Sequence, residues 1–296
     1  MNEVLQKITD SLNDKLENFQ TDEKELLKYL EFQSRFYQGR SFRNSLLIFM
    51  KKPDAEIVAT YKQWKNDHNR IVVACIVCRA FAKAKCECIE RQAPTRIDQL
   101  RPIFIETSEK ENEKEKTSIY FRNYFVFDIS DTEPLNDKGL KVINPNSPIE
   151  LTGSSGKEIL ILASIFIEKQ GWKYTFQPTG SNAKGYTDHL EKEIRISNNM
   201  ETLQQAKTTI HELAHFNLHS PDDFDYLNCR DIAEVQAESV AYTVLRFLGL
   251  DSSEYSVRYI IGWANNDLKL FRDNLKDIVE TSQKIINDLQ LTEGQK

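Results

Sequence analysis

The sequence lacks any apolar run long enough to cross a bilayer. The longest, Ile159 to Ile167, contains Ser164 and falls well short of the ~20 residues a membrane helix needs. The opening residues, Met-Asn-Glu-Val-Leu-Gln-Lys, hold no basic stretch followed by an apolar one. No secretory leader is therefore expected; the expected location is the cytoplasm, with no membrane partner. Glycine and proline are scarce, 10 and 8 in 296 residues, and they gather between 131 and 156. Pro134, Gly139, Pro145, Pro148, Gly153 and Gly156 mark that stretch as a linker. Cysteine is limited to Cys75, Cys78, Cys86, Cys88 and Cys229. The first four are spaced C-x2-C-x7-C-x-C, but without the Gly and Pro that shape a zinc knuckle. Free thiols in strands are the favoured reading and a structural zinc the lesser one. No internal repeat is present.

What remains is a soluble composition, 40% hydrophobic and 28% charged, in a chain long enough for two domains. The net charge of −6 is unevenly spread. Residues 40–101 carry 13 Lys and Arg against 6 Asp and Glu, or +7; residues 128–296 carry 17 against 26, or −9. Any nucleic-acid contact is therefore expected in the first part, unless the cluster is simply a solvated face.

The chain is organised around Thr209 to Leu218, which holds His-Glu-x-x-His as His211, Glu212 and His215. Side chains four apart share one helix face, so both imidazoles can reach one metal ion. Glu212, beside the first histidine, has the position of the general base of a metal hydrolase. Eighteen residues separate His215 from Glu234, which is followed by Glu238 on the same helical face. Two carboxylates on an otherwise apolar helix need partners. Glu234 is assigned to the metal and Glu238 to the free N–H of a ligand histidine, with the reverse left open. Zinc is the default ion, though other divalent metals suit such sites. His219 reads as a helix C-terminal histidine favoured by the dipole. Tyr186, His189 and Tyr242 are candidate oxyanion donors.

Along the chain, 2–32 reads as a helix with a break near Thr21-Asp22, and Asn44 to Met50 as a buried helix ended by Pro53. Glu56 to Trp64 reads as a short helix, 71–79 and 84–90 as strands, 109–116 as a solvated loop, and Tyr120 to Asp128 as an aromatic strand. Lys157 to Lys169 starts the second domain. Trp172 to Phe176 and Glu193 to Ser197 read as strands, the latter expected along the edge of the cleft, with 180–185 a turn between them. Residues 267–290 form a last amphipathic helix.

Several stretches together resemble the ArdC-like antirestriction proteins of mobile elements. They are Ser41 to Met50, Ala59 to Trp64 and Phe125 to Ser130 in the first part. In the second they are Thr209 to His219, Glu234 to Tyr242 and Tyr259 to Trp263. The resemblance implies an N-terminal domain that binds single-stranded DNA and a zincin-like metallopeptidase domain distantly similar to the ImmA/IrrE peptidases. One departure stands out: where such proteins carry a basic, glycine-containing turn, this chain has Ile71 to Lys85 without glycine.

The expected fold is α+β: an N-terminal mixed domain with a small antiparallel sheet at 1–130, a linker at 131–156, and a zincin-like domain at 157–296. Single-strand binding needs positive charge and flat rings. Arg40, Arg43, Lys62, Lys65 and Arg70 supply the former, Tyr61 and Trp64 the latter unless they are core. The expected function is a zinc-dependent metallopeptidase acting on or beside single-stranded DNA, its peptide or protein substrate unidentified. The rivals are a non-catalytic DNA-shielding protein with a structural zinc and a regulatory peptidase that cleaves a repressor.

Overall fold

The computed structural model describes residues 3–19, 22–36, 40–73, 76, 93–108, 115–140, 142, 156–179, 183–221, 229–250 and 268–291. Cys75, Cys78, Cys86 and Cys88, most of the two strands expected after Arg70, and Tyr259 to Trp263 lie outside them. The fold is α+β, as expected, and the chain forms two compact units. The first comprises residues 1–17 and 40–143, the second 18–39 and 144–296.

In the first unit, helix α1 (Glu3–Asn18) buries Ile8 and Leu12. The second unit holds α2 (Glu23–Arg35), which begins after the expected break with Asp22 capping the Glu25 amide. Helix α3 (Phe42–Lys51), in the first unit, is almost wholly buried and stops just before Pro53. Its one amide side chain, Asn44, does the work of a β-ladder. It donates to the Leu100 carbonyl at 2.9 Å and accepts the Leu100 amide at 2.7 Å.

The segment expected as one helix from Glu56 to Trp64 divides. Val58–Ala59 forms β1, and Tyr61–Asn66 forms α4, which Thr60 and Gln63 close with a capping box. Strand β2 (Arg70–Val72) pairs antiparallel with β5 (Thr132–Pro134). Strands β3 (Ile97–Ser108) and β4 (Glu115–Asp128) form a long antiparallel hairpin, and β1 joins β4 in the order β1-β4-β3. The sequence did not signal β3, because Pro102 and its charges obscure the alternation; as an outer strand it tolerates the proline. Trp64, Ala59 and Val72 form a small core with Phe127 and Ile129.

The second unit builds the centre described below. Helix α2 packs on α7 (Arg230–Phe247), with Phe19, Tyr29, Phe32 and Phe36 stacked at centroid distances of 5.5, 6.3 and 4.7 Å. Helix α5 (Lys157–Lys169) packs on α6 (Thr202–Leu218), α6 on α7, and α8 (Leu268–Asp288) on both. Three strands, β6 (Lys173–Phe176), β7 (Gly185–Asp188) and β8 (Glu193–Ile196), lie in the order β6-β8-β7. The expected edge strand at Glu193 is therefore the central one: β6 pairs with it in parallel and β7 antiparallel. The reason is burial, since Ile194 and Ile196 are both at 0% exposure. The edge belongs to β7, which begins at a residue expected to end a turn. Among the described residues, no helix is long and apolar enough to cross a membrane.

Candidate metal centre

Helix α6 carries its histidines on the face turned to α7. The Nε2 atoms of His211 and His215 face each other at 3.1 Å. From α7, Glu234 brings Oε2 to 3.5 Å from His211 Nε2, and one donor atom from each of His211, His215 and Glu234 lies within 4.8 Å of the others. Two donors each 2.0–2.1 Å from one tetrahedral ion stand about 3.3–3.4 Å apart. The imidazole pair and the Glu234 contact bracket that spacing, so the set fits a divalent metal. Glu238, one turn further along α7, meets the other nitrogen of His211, Nδ1, at 3.4 Å, and its second oxygen holds Lys207 at 2.5 Å.

The electrostatics follow from this packing. Burial opposes the His211 cation, but hydrogen bonds to Glu234 and Glu238 and the charge of Glu212 outweigh it and push its pKa up to about 10. Burial, followed by the nearby His211 and His219, drives the pKa of His215 well below the ordinary value, so His215 is neutral and offers a lone pair. Burial works against Glu238 as well, yet His211 and Lys207 pull it down to about 2. Burial raises Glu212, against the pull of His211.

Glu212 is held in place by the strand edge. The Thr187 hydroxyl of β7 lies 2.8 Å from Glu212 Oε2 and 3.0 Å from its carbonyl. Gly185 permits that approach: a Cβ there would stand 2.8 Å from Thr208 and 3.1 Å from Glu212 Oε1. Strand β7, Lys184, Lys207 and the metal-centre side chains line one cavity of about 1070 Å³. His189 also lines it, with its ring edge-on to Trp172 at 5.2 Å and its pKa lowered by burial. Tyr186 lies under the Arg195 guanidinium at 5.3 Å, and Tyr242 is buried on α7.

His219 is not the dipole-favoured cation that its position at the end of α6 implied. It is 4% exposed, burial lowers its pKa, and its ring bonds to His215 and Gln236. Thr187, Lys207, His219 and Gln236 are contributors that sequence reasoning missed or misread. The only signal was spacing: His219 repeats the interval from His211 to His215.

Three of the candidate DNA contacts, Trp64, Arg40 and Arg70, are committed to partners within the fold. Trp64 is at 0% exposure with its indole N–H donated to the Phe127 carbonyl at 2.8 Å, so its ring offers no face to a base. Arg40 donates to Gln99 Oε1 and the Val58 carbonyl, and burial lowers its pKa. Arg70 spends its guanidinium on Thr132 and the Gly139 carbonyl. Arg43 on α3 and Tyr61, Lys62 and Lys65 on α4 remain exposed.

A helix bearing His-Glu-x-x-His, met by a glutamate from a second helix across a cleft, defines a metallopeptidase-like centre. Residues 167–245, which hold all of these side chains, match the family model of the IrrE N-terminal-like domain, Peptidase_M78. The chain is 25% identical to an uncharacterized protein of Bacillus anthracis, over 97% of its own length. It spans about half of that relative, 51%. Among solved structures it is similar to the antirestriction protein ArdC of plasmid R388. The metal-free ArdC structure has a TM-score of 0.48 at 16% identity, covering 86% of this chain and 85% of that one. The Mn(II)-bound ArdC structure has a TM-score of 0.45 at 15% identity, covering 90% and 96%.

Proposed function

We propose that the second unit is a zinc-dependent peptidase centre in which His211, His215 and Glu234 hold the ion and Glu212 is the general base. The observation that carries this reading is the convergence of the two facing Nε2 atoms with Glu234, beside a buried Glu212 whose carboxylate Thr187 orients. When bound, zinc supplies Lewis acidity toward a carbonyl and brings the pKa of water down to ~7. The chain's own residues do the rest. Glu212 accepts a proton, and burial, by raising its pKa, suits it to hand that proton on to a leaving amine. Glu238 accepts from His211 Nδ1 and so turns the other nitrogen of that ring toward the site. The outer edge of β7, which lines the cleft, is the place for an extended peptide to pair. Glu212→Gln tests the assignment: the variant keeps its metal and traps a substrate that the wild type cleaves. Undiminished cleavage would refute the mechanism.

Contact with single-stranded DNA, cytoplasmic action and an antirestriction role belong to the same proposal. Support for the DNA contact comes from the β3–β4 hairpin of the first unit rather than from Trp64. Arg101 and Arg122 sit opposite each other in register, a like-charge pair that an anion relieves. Tyr120, on their face of the hairpin, is 57% exposed; on the opposite face Phe121 and Phe125 are 41 and 42% exposed, with the Arg96 guanidinium 5.9 Å from the Phe125 ring. Positive charge with stackable rings suits a single strand. Binding of labelled oligonucleotides across a salt series, with Arg101→Ala and Arg122→Ala combined, tests it. No affinity at low salt, where phosphate contacts are strongest, would end it.

A further inference from the structure

Behind His215, on the ring edge that does not face His211, a line of side chains crosses three helices. His215 Nδ1 meets His219 Nδ1 at 2.8 Å, and His219 Nε2 meets Gln236 Oε1 at 2.9 Å. Gln236 Nε2 then reaches Asn274 Oδ1 at 2.9 Å and Asp277 Oδ2 at 3.4 Å on α8. His219 and Gln236 are each 4% exposed, so water does not replace these partners at little cost.

The line has a direction, and its far end sets it. A carboxylate only accepts hydrogen bonds, so Gln236 turns its NH2 toward Asp277 and its carbonyl oxygen toward His219. That oxygen also only accepts, so the hydrogen of a neutral His219 sits on Nε2. His219 then presents a lone pair at Nδ1, and His215 must donate from its own Nδ1. The lone pair of His215 is left on Nε2, the atom that faces His211 at 3.1 Å. Reversing the direction would set the Gln236 carbonyl against the Asp277 carboxylate, acceptor to acceptor, at the part-buried end of the line.

We infer that His219, Gln236 and Asp277 are positioning residues that hold His215 in its Nδ1–H tautomer, so that Nε2 stands ready as a donor before any ion arrives. The inference deepens the peptidase reading and rests on it only in taking Nε2 as the donor atom. A free imidazole divides its hydrogen between two nitrogens, and one of the two forms cannot bind a metal through Nε2. Losing an outer partner of this kind typically costs 10–100-fold in metal affinity.

The test uses the full chain labelled with 15N-histidine and stripped of metal, with the His215 tautomer read from its nitrogen shifts. Nδ1–H is expected in the wild type. In His219→Leu a mixture of tautomers is expected, with zinc affinity in chelator competition down about tenfold or more. His219→Gln keeps an acceptor and a donor and should restore both readouts to within a few-fold. An Nε2–H form in the metal-free wild type would overturn the inference, whether or not the variants fold. So would a His219→Leu protein with unchanged tautomer and affinity. A wild type that holds Nδ1–H but takes up no metal would sink the peptidase reading and leave the tautomer device standing.

Discussion

Glu238 meets His211 at the ring nitrogen that does not face His215: Nδ1 lies 3.4 Å from Glu238 Oε2, while Nε2 lies 3.5 Å from Glu234. The two carboxylates, one turn apart on α7, thus address opposite edges of one imidazole. That relationship separates their expected roles.

About one divalent ion per chain is expected by elemental analysis. Glu234→Ala should lose it. Glu238→Ala should keep the stoichiometry and weaken zinc by about 10–100-fold in chelator competition, because His211 loses the partner that orients it. Loss of the ion with Glu238→Ala alone would reverse the assignment.

Glu212→Gln should retain the ion and lower kcat on any peptide the wild type cleaves by about 10²–10⁴-fold, the usual range for a general base. Thr187→Val removes only the hydroxyl that orients Glu212. A smaller fall is expected, about tenfold, for a lost hydrogen bond to a charged group worth ~1.5 kcal/mol or more. Single-turnover kinetics on the metal-loaded variants separates the two.

Proton and ion compete at His211. Its burial is outweighed by Glu234 and Glu238, and in the metal-free protein its pKa is pushed up to about 10. A folded-state pKa raised above the ordinary ~6.5 adds stability that is full below that pH and lost as pH climbs through the folded value. The Tm of the metal-free protein should therefore fall between pH ~6.5 and about 10. The metal-loaded protein should fall less, since the ion takes the proton's place. Uptake near pH 7.5 should release close to one proton, measurable by calorimetry in buffers of different ionisation enthalpy. A flat Tm in the metal-free protein would contradict the His211 environment.

Trp64→Ala should destabilise the first unit by about 3–5 kcal/mol, as removal of a fully buried aromatic does. Tyr61→Ala, on the exposed side of α4, should change stability by no more than ~0.5 kcal/mol. Chemical denaturation beside oligonucleotide binding distinguishes these outcomes from a direct DNA role. A Trp64 variant of native stability that lost DNA binding alone would restore the stacking reading.

Much of the candidate metal centre is local in the chain, so its side-chain grouping could be read in one dimension. His211 and His215 share a face through helical periodicity alone, and Glu234 follows at an interval set by one helical return. The α5 and α6 helices and the aromatic strand before Asp128 likewise follow from short-range pattern. The strand at 97–108 did not, because its pairing with β4 is a long-range choice that Pro102 and its charges conceal.

Burial separated residues that composition treats alike. Arg40, Arg70 and Trp64 share the basic and aromatic character of Arg101, Arg122 and Tyr120, yet packing consumes the first three and exposes the others. The same holds at the centre. The sequence determined which side chains could bind a metal, since a helix repeats every 3.6 residues whatever surrounds it. Only the tertiary structure decided that β7 rather than β8 borders the cleft, that Thr187 orients Glu212, and that His219 and Gln236 stand behind His215. Those pairings join residues 17 to 25 positions apart in the chain, and the packing of α6 against α7 and the strand order bring them within hydrogen-bond reach.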